Sequence, residues 1–180
     1  MVIKSLEEIT KSPPSVTLNE IKGVSPEAMS KCNVDWRVVG QFCATQAYNC
    51  HISRNQNGVV DWSELGTEIY RRLQVLMADD DDELAEMRIR ANAIVFCGVN
   101  PSESVLNPSV VESWFFSKLP SSMEQVRQMA MDIDDAASPA FLTLRRLKQR
   151  LSLIKGLVDQ GVFAENDQLA KWLAVRDELP

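Results

Sequence analysis

The side chains able to do chemistry are few. His51 is the single histidine, so any imidazole acid–base step, or any imidazole metal ligand, would depend on that one residue. Cys50 is its neighbour in sequence. Residues i and i+1 of a helix point to different faces, which favours a helix end here over a thiol–imidazole pair. The other cysteines are Cys32, Cys43 and Cys97. None forms a CxxC pair, and all four read as reduced thiols. The chain contains no GxGxxG turn, no phosphate loop and no nucleophile elbow. The expectation is a protein that is not an enzyme and has no catalytic residues.

The richest run of oxygen ligands is Ser53-Arg54-Asn55-Gln56-Asn57-Gly58-Val59-Val60-Asp61-Trp62-Ser63-Glu64. Its spacing resembles the calcium loop of an EF-hand, a cage of oxygens from positions 1, 3, 5, 7, 9 and 12 of a twelve-residue loop. Those positions here are Ser53, Asn55, Asn57, the Val59 carbonyl, Asp61 and Glu64, with Gly58 at the sharp turn and the aliphatic Val60 at position 8. The resemblance implies a calcium site between two helices. It covers this one motif only, and no second good loop exists to pair with it. Position 1 departs from the family's usual Asp, and only Asp61 and Glu64 carry charge, so the implied affinity is weak. The same residues also have a purely structural reading. Asn57-Gly58 is a turn, and Asp61-Trp62-Ser63-Glu64 has capping-box spacing that opens a helix running to about Met77.

A second feature is basic. Leu144, Leu147, Leu151, Ile154 and Val158 repeat at spacings of three and four, an amphipathic helix. Arg145, Arg146, Lys148, Arg150 and Lys155 lie among them, five of the 19 Lys and Arg residues of an acidic chain. Such a face suits contact with a protein partner, a self-association seam or a phosphate backbone. RNA ranks below a protein partner, because no aromatic side chains are interleaved with the cations for bases to stack on. A core helix with a solvated basic face uses the same residues.

The elements that position these features are helices. Ser25-Pro26 starts one, and Asp35 caps another running to about Asn49. A third spans roughly Glu83 to Phe96, after the acidic run Asp79 to Glu83, whose carboxylates suit the positive end of a helix. Asn107-Pro108, Ser121, Ser138-Pro139 and Asn166 mark four more starts. Ala93 to Cys97 is apolar enough for a strand, but its context favours a buried helix end. Trp36, Trp62, Trp114 and Trp172 each lie beside other apolar residues and read as core. Residues 1–24 form a loosely patterned arm, broken at Ser12-Pro13-Pro14-Ser15. Residues 25–180 read as a single helical domain. The expected fold is all-α, a compact bundle of about seven or eight short helices.

The totals agree. The 180 residues are 45% apolar and 24% charged, with a net charge of −6, an ordinary globular balance. An acidic chain is not steered as a whole toward nucleic acid or anionic membrane. No apolar run approaches the ~20 residues that a membrane helix needs, and Met1 to Ile9 has neither a secretory nor a transit pattern, so a cytoplasmic protein is expected. These features point to a helical interaction or assembly protein acting through self-association and partner binding. In plan, an arm on a compact helical domain resembles coat and nucleocapsid subunits of filamentous viruses. The alternative is a weakly calcium-binding regulatory module.

Overall fold

A computed structural model of the chain describes residues 5–98, 104–133 and 138–180. Among them are ten α-helices, one short 3-10 turn and no strand. The fold is all-α. Eight of the helices have nine residues or more, in line with the seven or eight expected from sequence.

Contacts divide the chain into two compact units, Met1–Asn107 and Pro108–Pro180, where the sequence suggests one domain over 25–180. The first unit begins with α1 (Leu6–Lys11), α2 (Pro14–Lys22) and α3 (Pro26–Ser30). Residues 6–22 are therefore not a loose arm. Ser5 and Glu8 form a capping box, and Pro14, which reads as a break, instead takes the first position of α2, where its missing N–H costs nothing. Ile9, Leu18 and Ile21 are buried in the core of this unit. Burying three such side chains stabilises by about 1.5–3 kcal/mol each, enough to dock two short helices that would not persist alone. Residues 1–4 of the expected arm lie outside the described residues.

Three long helices follow: α4 (Trp36–Ile52), α5 (Gln56–Met77) and α6 (Asp80–Cys97). Asp35 caps α4 by accepting from the Arg37 and Val38 N–H groups, and Asp79 caps α6. α5 lies between α4 and α6, and also meets α2 and α3. Val39, Cys43, Leu65, Ile69 and Ile89 fill the seams. The approach of α4 to α5 is close because Gly40 has no side chain. A Cβ there would stand 2.6 Å from Cε2 of Tyr70. Ala93 and Ile94 are buried on α6, a helix end and not a strand.

Charges reinforce the seams. Arg37 of α4 forks onto Asp82 of α6 with bonds of 3.0 and 2.8 Å. Arg72 of α5 donates to Glu68 at 2.7 Å and to the Val24 carbonyl. Gln74 donates to Glu86 at 2.6 Å, and Arg90 also reaches Glu86. Paired in this way, the buried Arg72, Asp82 and Glu86 avoid the large cost of an isolated buried charge.

The second unit holds α7 (Pro108–Ser117), α8 (Met123–Met131), α9 (Pro139–Asp159) and α10 (Asp167–Arg176). α9 is its spine, with α7, α8 and α10 packed on it. Ser138 caps α9, Asn166 caps α10, and Ser122, one residue later than the sequence suggests, caps α8. Leu144, Leu147, Leu151 and Ile154 are buried as their spacing predicts, but the last buried position is Leu157, not Val158. With 100° per residue, the buried stripe swings by about 100° in the final turn of α9. Trp114, Phe115 and Trp172 complete this core.

Candidate functional site

The segment Ser53–Glu64 is not a loop. After a tight turn at Ser53 and Arg54, the backbone becomes helical from Gln56 onward, five residues before Asp61. Nine of the twelve positions therefore belong to α5, and a calcium loop is not assembled. Asn55 supplies the reason: its Oδ1 accepts the Gly58 N–H at 3.0 Å, capping α5. Gly58 does not make a turn either. A Cβ there would stand 2.6 Å from the Cys50 sulfur and 2.7 Å from the Asn55 amide nitrogen, so glycine leaves space for the cap and for Cys50. The Val59 side chain is buried and its backbone is within the helix. Glu64 lies 3.8 Å from Lys22 of α2. Ser53 donates back to the Asn49 carbonyl at 3.0 Å. Asn57 and Asp61 are exposed. Among the described residues, no three His, Cys, Asp or Glu side chains converge as metal ligands. The residues present do not fit the calcium ion that the resemblance implies.

The same region has a different character. His51, Arg54, Asn55, Gln56, Asn57, Val59 and Phe96 border an open cavity of about 520 Å³. His51 stacks on Phe96 with ring centroids 4.2 Å apart and planes 12° off parallel. Tyr48 lies 5.9 Å from Phe96. Tyr48 and Ile52 are exposed to 51% and 62%, an aromatic and aliphatic group at one end of the α4–α5–α6 layer. Arg54 holds a left-handed φ of 58° at this end, an uncommon conformation for a residue with a side chain.

The thiols nearby are poor nucleophiles. Burial pushes Cys50 up from the ordinary thiol range, and the charge of Asp61 pushes the same way. Burial also raises Cys97 and carries Cys43 up to about 12. A thiol raised in this way supplies little thiolate near neutral pH. His51 takes part in ring contacts with Tyr48 and Phe96, and among the described residues no side chain hydrogen-bonds to it to orient it as a base.

The five cations of α9 fare unequally. Lys148 donates to the Leu179 carbonyl at 3.0 Å, and Lys155 pairs with Asp159 at 3.0 Å. Both are engaged inside the unit. Arg145 is exposed, and Arg146 and Arg150 are half-buried. The Nε of Arg150 is shielded from solvent without a hydrogen-bond partner. The basic strip is thus interrupted, with Arg145 its fully outward member. A second open cavity of about 630 Å³ lies between the end of α8 and the start of α9, bordered by Gln125, Met129, Ile133 and Ala140.

Sequence reasoning missed the grouping of Tyr48, His51, Ile52 and Phe96. One signal was available: His51 and Ile52 lie three and four residues after Tyr48, toward the end of a helix whose core stripe lies elsewhere. Phe96 joins them only through the pairing of α4 with α6.

No helix is long and apolar enough to cross a membrane among the described residues. Compared with protein-family models, curated proteins and solved structures, the chain matches none.

Proposed function

We propose that the chain is a non-enzymatic interaction and assembly protein, acting through self-association and partner binding, in the manner of a coat or nucleocapsid subunit. One observation carries this reading. Among the described residues of the first unit seven large apolar side chains are exposed, and five of them gather at the two ends of the α4–α5–α6 layer, Tyr48 and Ile52 at one and Val38, Val75 and Met77 at the other, while Leu6 and Val16 lie on α1 and α2. Singly scattered apolar residues need no explanation, but groups of them mark contact surfaces. The raised thiols and the stacked, unoriented His51 support the non-enzymatic half. Four unpaired cysteines suit a reducing compartment such as the cytoplasm.

A phosphate-backbone role for α9 ranks lower, since Lys148 and Lys155 are held by partners within the chain. A calcium-regulated module has no support from the helical backbone of 56–64. The test is the molar mass of the purified chain by light scattering and sedimentation across a wide concentration range. Mass rising with concentration supports assembly. A monomer at every concentration sinks it.

A further inference from the structure

Asn57-Gly58 is the one Asn-Gly pair of the chain, and the Asn57 side chain is exposed. An asparagine amide can be attacked by the backbone nitrogen of the next residue. A side chain on that residue hinders the attack, and glycine, which has no Cβ, removes the hindrance. The fold requires glycine at position 58. A Cβ there would stand 2.6 Å from the Cys50 sulfur and 2.7 Å from the Asn55 amide nitrogen. The packing that excludes every larger residue thus leaves Asn57 beside an unhindered nitrogen. The same turn holds that nitrogen back. Its N–H is donated to Asn55 Oδ1 at 3.0 Å. Asn57 and Gly58 also lie in the first turn of α5, and a cyclic imide between neighbouring residues needs a ψ outside the helical range.

We propose that Asn57 is a site of spontaneous deamidation and that the Asn55 cap sets its rate. The reaction waits for the first turn of α5 to open, a local event that leaves the rest of the unit folded. The bond from Gly58 to Asn55 then breaks, and the Gly58 nitrogen gives up its proton. Its lone pair attacks Cγ of Asn57. The N–Cγ bond forms, the Cγ–Nδ2 bond breaks, and ammonia leaves with the proton that Gly58 released. Water then opens the imide. Addition at Cγ gives aspartate, and addition at the backbone carbonyl carbon gives isoaspartate. Nothing is oxidised or reduced, and water is the only co-reactant. Aspartate adds a carboxylate to the first turn of α5, where the helix dipole favours it. Isoaspartate routes the backbone through the side-chain carbon, so the first turn no longer closes in register. Either product alters the wall of the 520 Å³ cavity that Asn57 borders. The inference does not rest on the assembly reading, since the chemistry needs only one chain.

The experiment incubates the folded full-length chain in mildly alkaline buffer and follows the peptide containing Asn57 by mass spectrometry, with aspartate and isoaspartate forms separated by chromatography. The wild type is expected to convert slowly, and the same chain unfolded in urea fastest. Asn55→Ala is expected to convert about fivefold faster than the wild type, the effect of losing a cap worth about 1 kcal/mol. Asn55→Asp keeps an oxygen that accepts the Gly58 N–H and is expected to convert no faster than the wild type. Gly40→Ala crowds Tyr70 away from this turn and is expected to leave the rate unchanged, which separates local opening from general destabilisation. Circular dichroism checks that each variant keeps its helix content. Should Asn55→Ala lose it, Asn55→Gln, whose longer side chain is no cap, takes its place. Conversion in the folded wild type as fast as in urea overturns the protection. Equal rates in the wild type and Asn55→Ala, or equal acceleration by Gly40→Ala, overturn the role of the cap. An Asn57 that stays intact even in urea overturns the site itself.

Discussion

Gly40→Ala isolates a close approach of α4 to α5 in the first unit. In an open helix position this change stabilises by about 1 kcal/mol, because alanine is the better helix former. At position 40 the new Cβ would meet the Tyr70 ring at 2.6 Å from Cε2 and 2.7 Å from Cζ. Ordinary carbon contacts lie near 3.5–4.0 Å, so something must give by roughly 1 Å. Tyr70 has little room to do so. It is buried in the core cluster, and its hydroxyl donates to the Arg37 carbonyl at 3.4 Å. Overpacking of this kind costs about 1–3 kcal/mol. With the helix-propensity gain subtracted, the expected net is a loss of about 1 kcal/mol. Gly156 of α9 is the matched control, since a Cβ there meets nothing within 4 Å. Gly156→Ala should therefore stabilise by about 1 kcal/mol, making the two variants differ by about 2 kcal/mol with opposite signs. Urea unfolding followed by circular dichroism measures both, each variant moving the transition of the unit that contains it. Adding Tyr70→Leu to Gly40→Ala should remove most of the penalty of the alanine. A Gly40→Ala protein as stable as Gly156→Ala would refute the argument that the missing Cβ sets the α4–α5 spacing.

Three further outcomes follow from the geometry. Asn55→Ala removes the cap of α5 and should cost about 1 kcal/mol, read as a lower urea midpoint; an unchanged midpoint would mean that the helix does not depend on this bond. Burial raises the Glu68 carboxyl, but hydrogen bonds from Arg71 and Arg72 outweigh it and hold the group below the ordinary carboxyl range. A depressed folded-state pKa adds stability above the unfolded pKa and loses it as pH falls through the folded value. Glu68→Gln should therefore flatten the loss of stability below about pH 4.5, and an acid limb identical to the wild type would count against the pairing. Cys43, buried and raised to about 12, should resist a maleimide at pH 8 in the folded chain and react fully in urea, as mass spectrometry of the labelled peptides would reveal; labelling in the folded state at the rate of the half-buried Cys97 would contradict that.

Local signals were legible in the sequence. Asp35, Ser138 and Asn166 cap the helices they were expected to cap, because a cap is a bond between residues two or three apart. The start of α5 was misjudged because two capping signals overlap. Asn55 and Asp61 both fit, and Asn55 takes the helix since burial of the Val59 side chain favours helix in that turn. The docking of α1 and α2 was hidden for another reason. Ile9, Leu18 and Ile21 are too few to show a period, and only partners far along the chain, on α4 and α5, make their burial worthwhile. The turn of the buried stripe at Leu157 likewise follows from the packing of the second unit, which sequence spacing does not encode. The calcium resemblance rested on residue types alone. The same oxygens serve caps and solvent once the backbone is helical, and the grouping of His51 with Phe96 needed the pairing of two helices 44 residues apart along the chain.

The central place of α5 also bears on how the first unit comes apart. A helix at the rim of a bundle can fray or detach while the rest stays folded. α5 cannot, because α2, α3, α4 and α6 all lean on it, and Leu65 and Ile69 have no exposed surface. Opening it means opening everything around it. Its interior amides should then exchange with deuterium only when the whole unit unfolds, while those of α1, a six-residue helix held by Ile9, exchange through small local openings. The slowest amides along α5 would report the global stability of the unit directly.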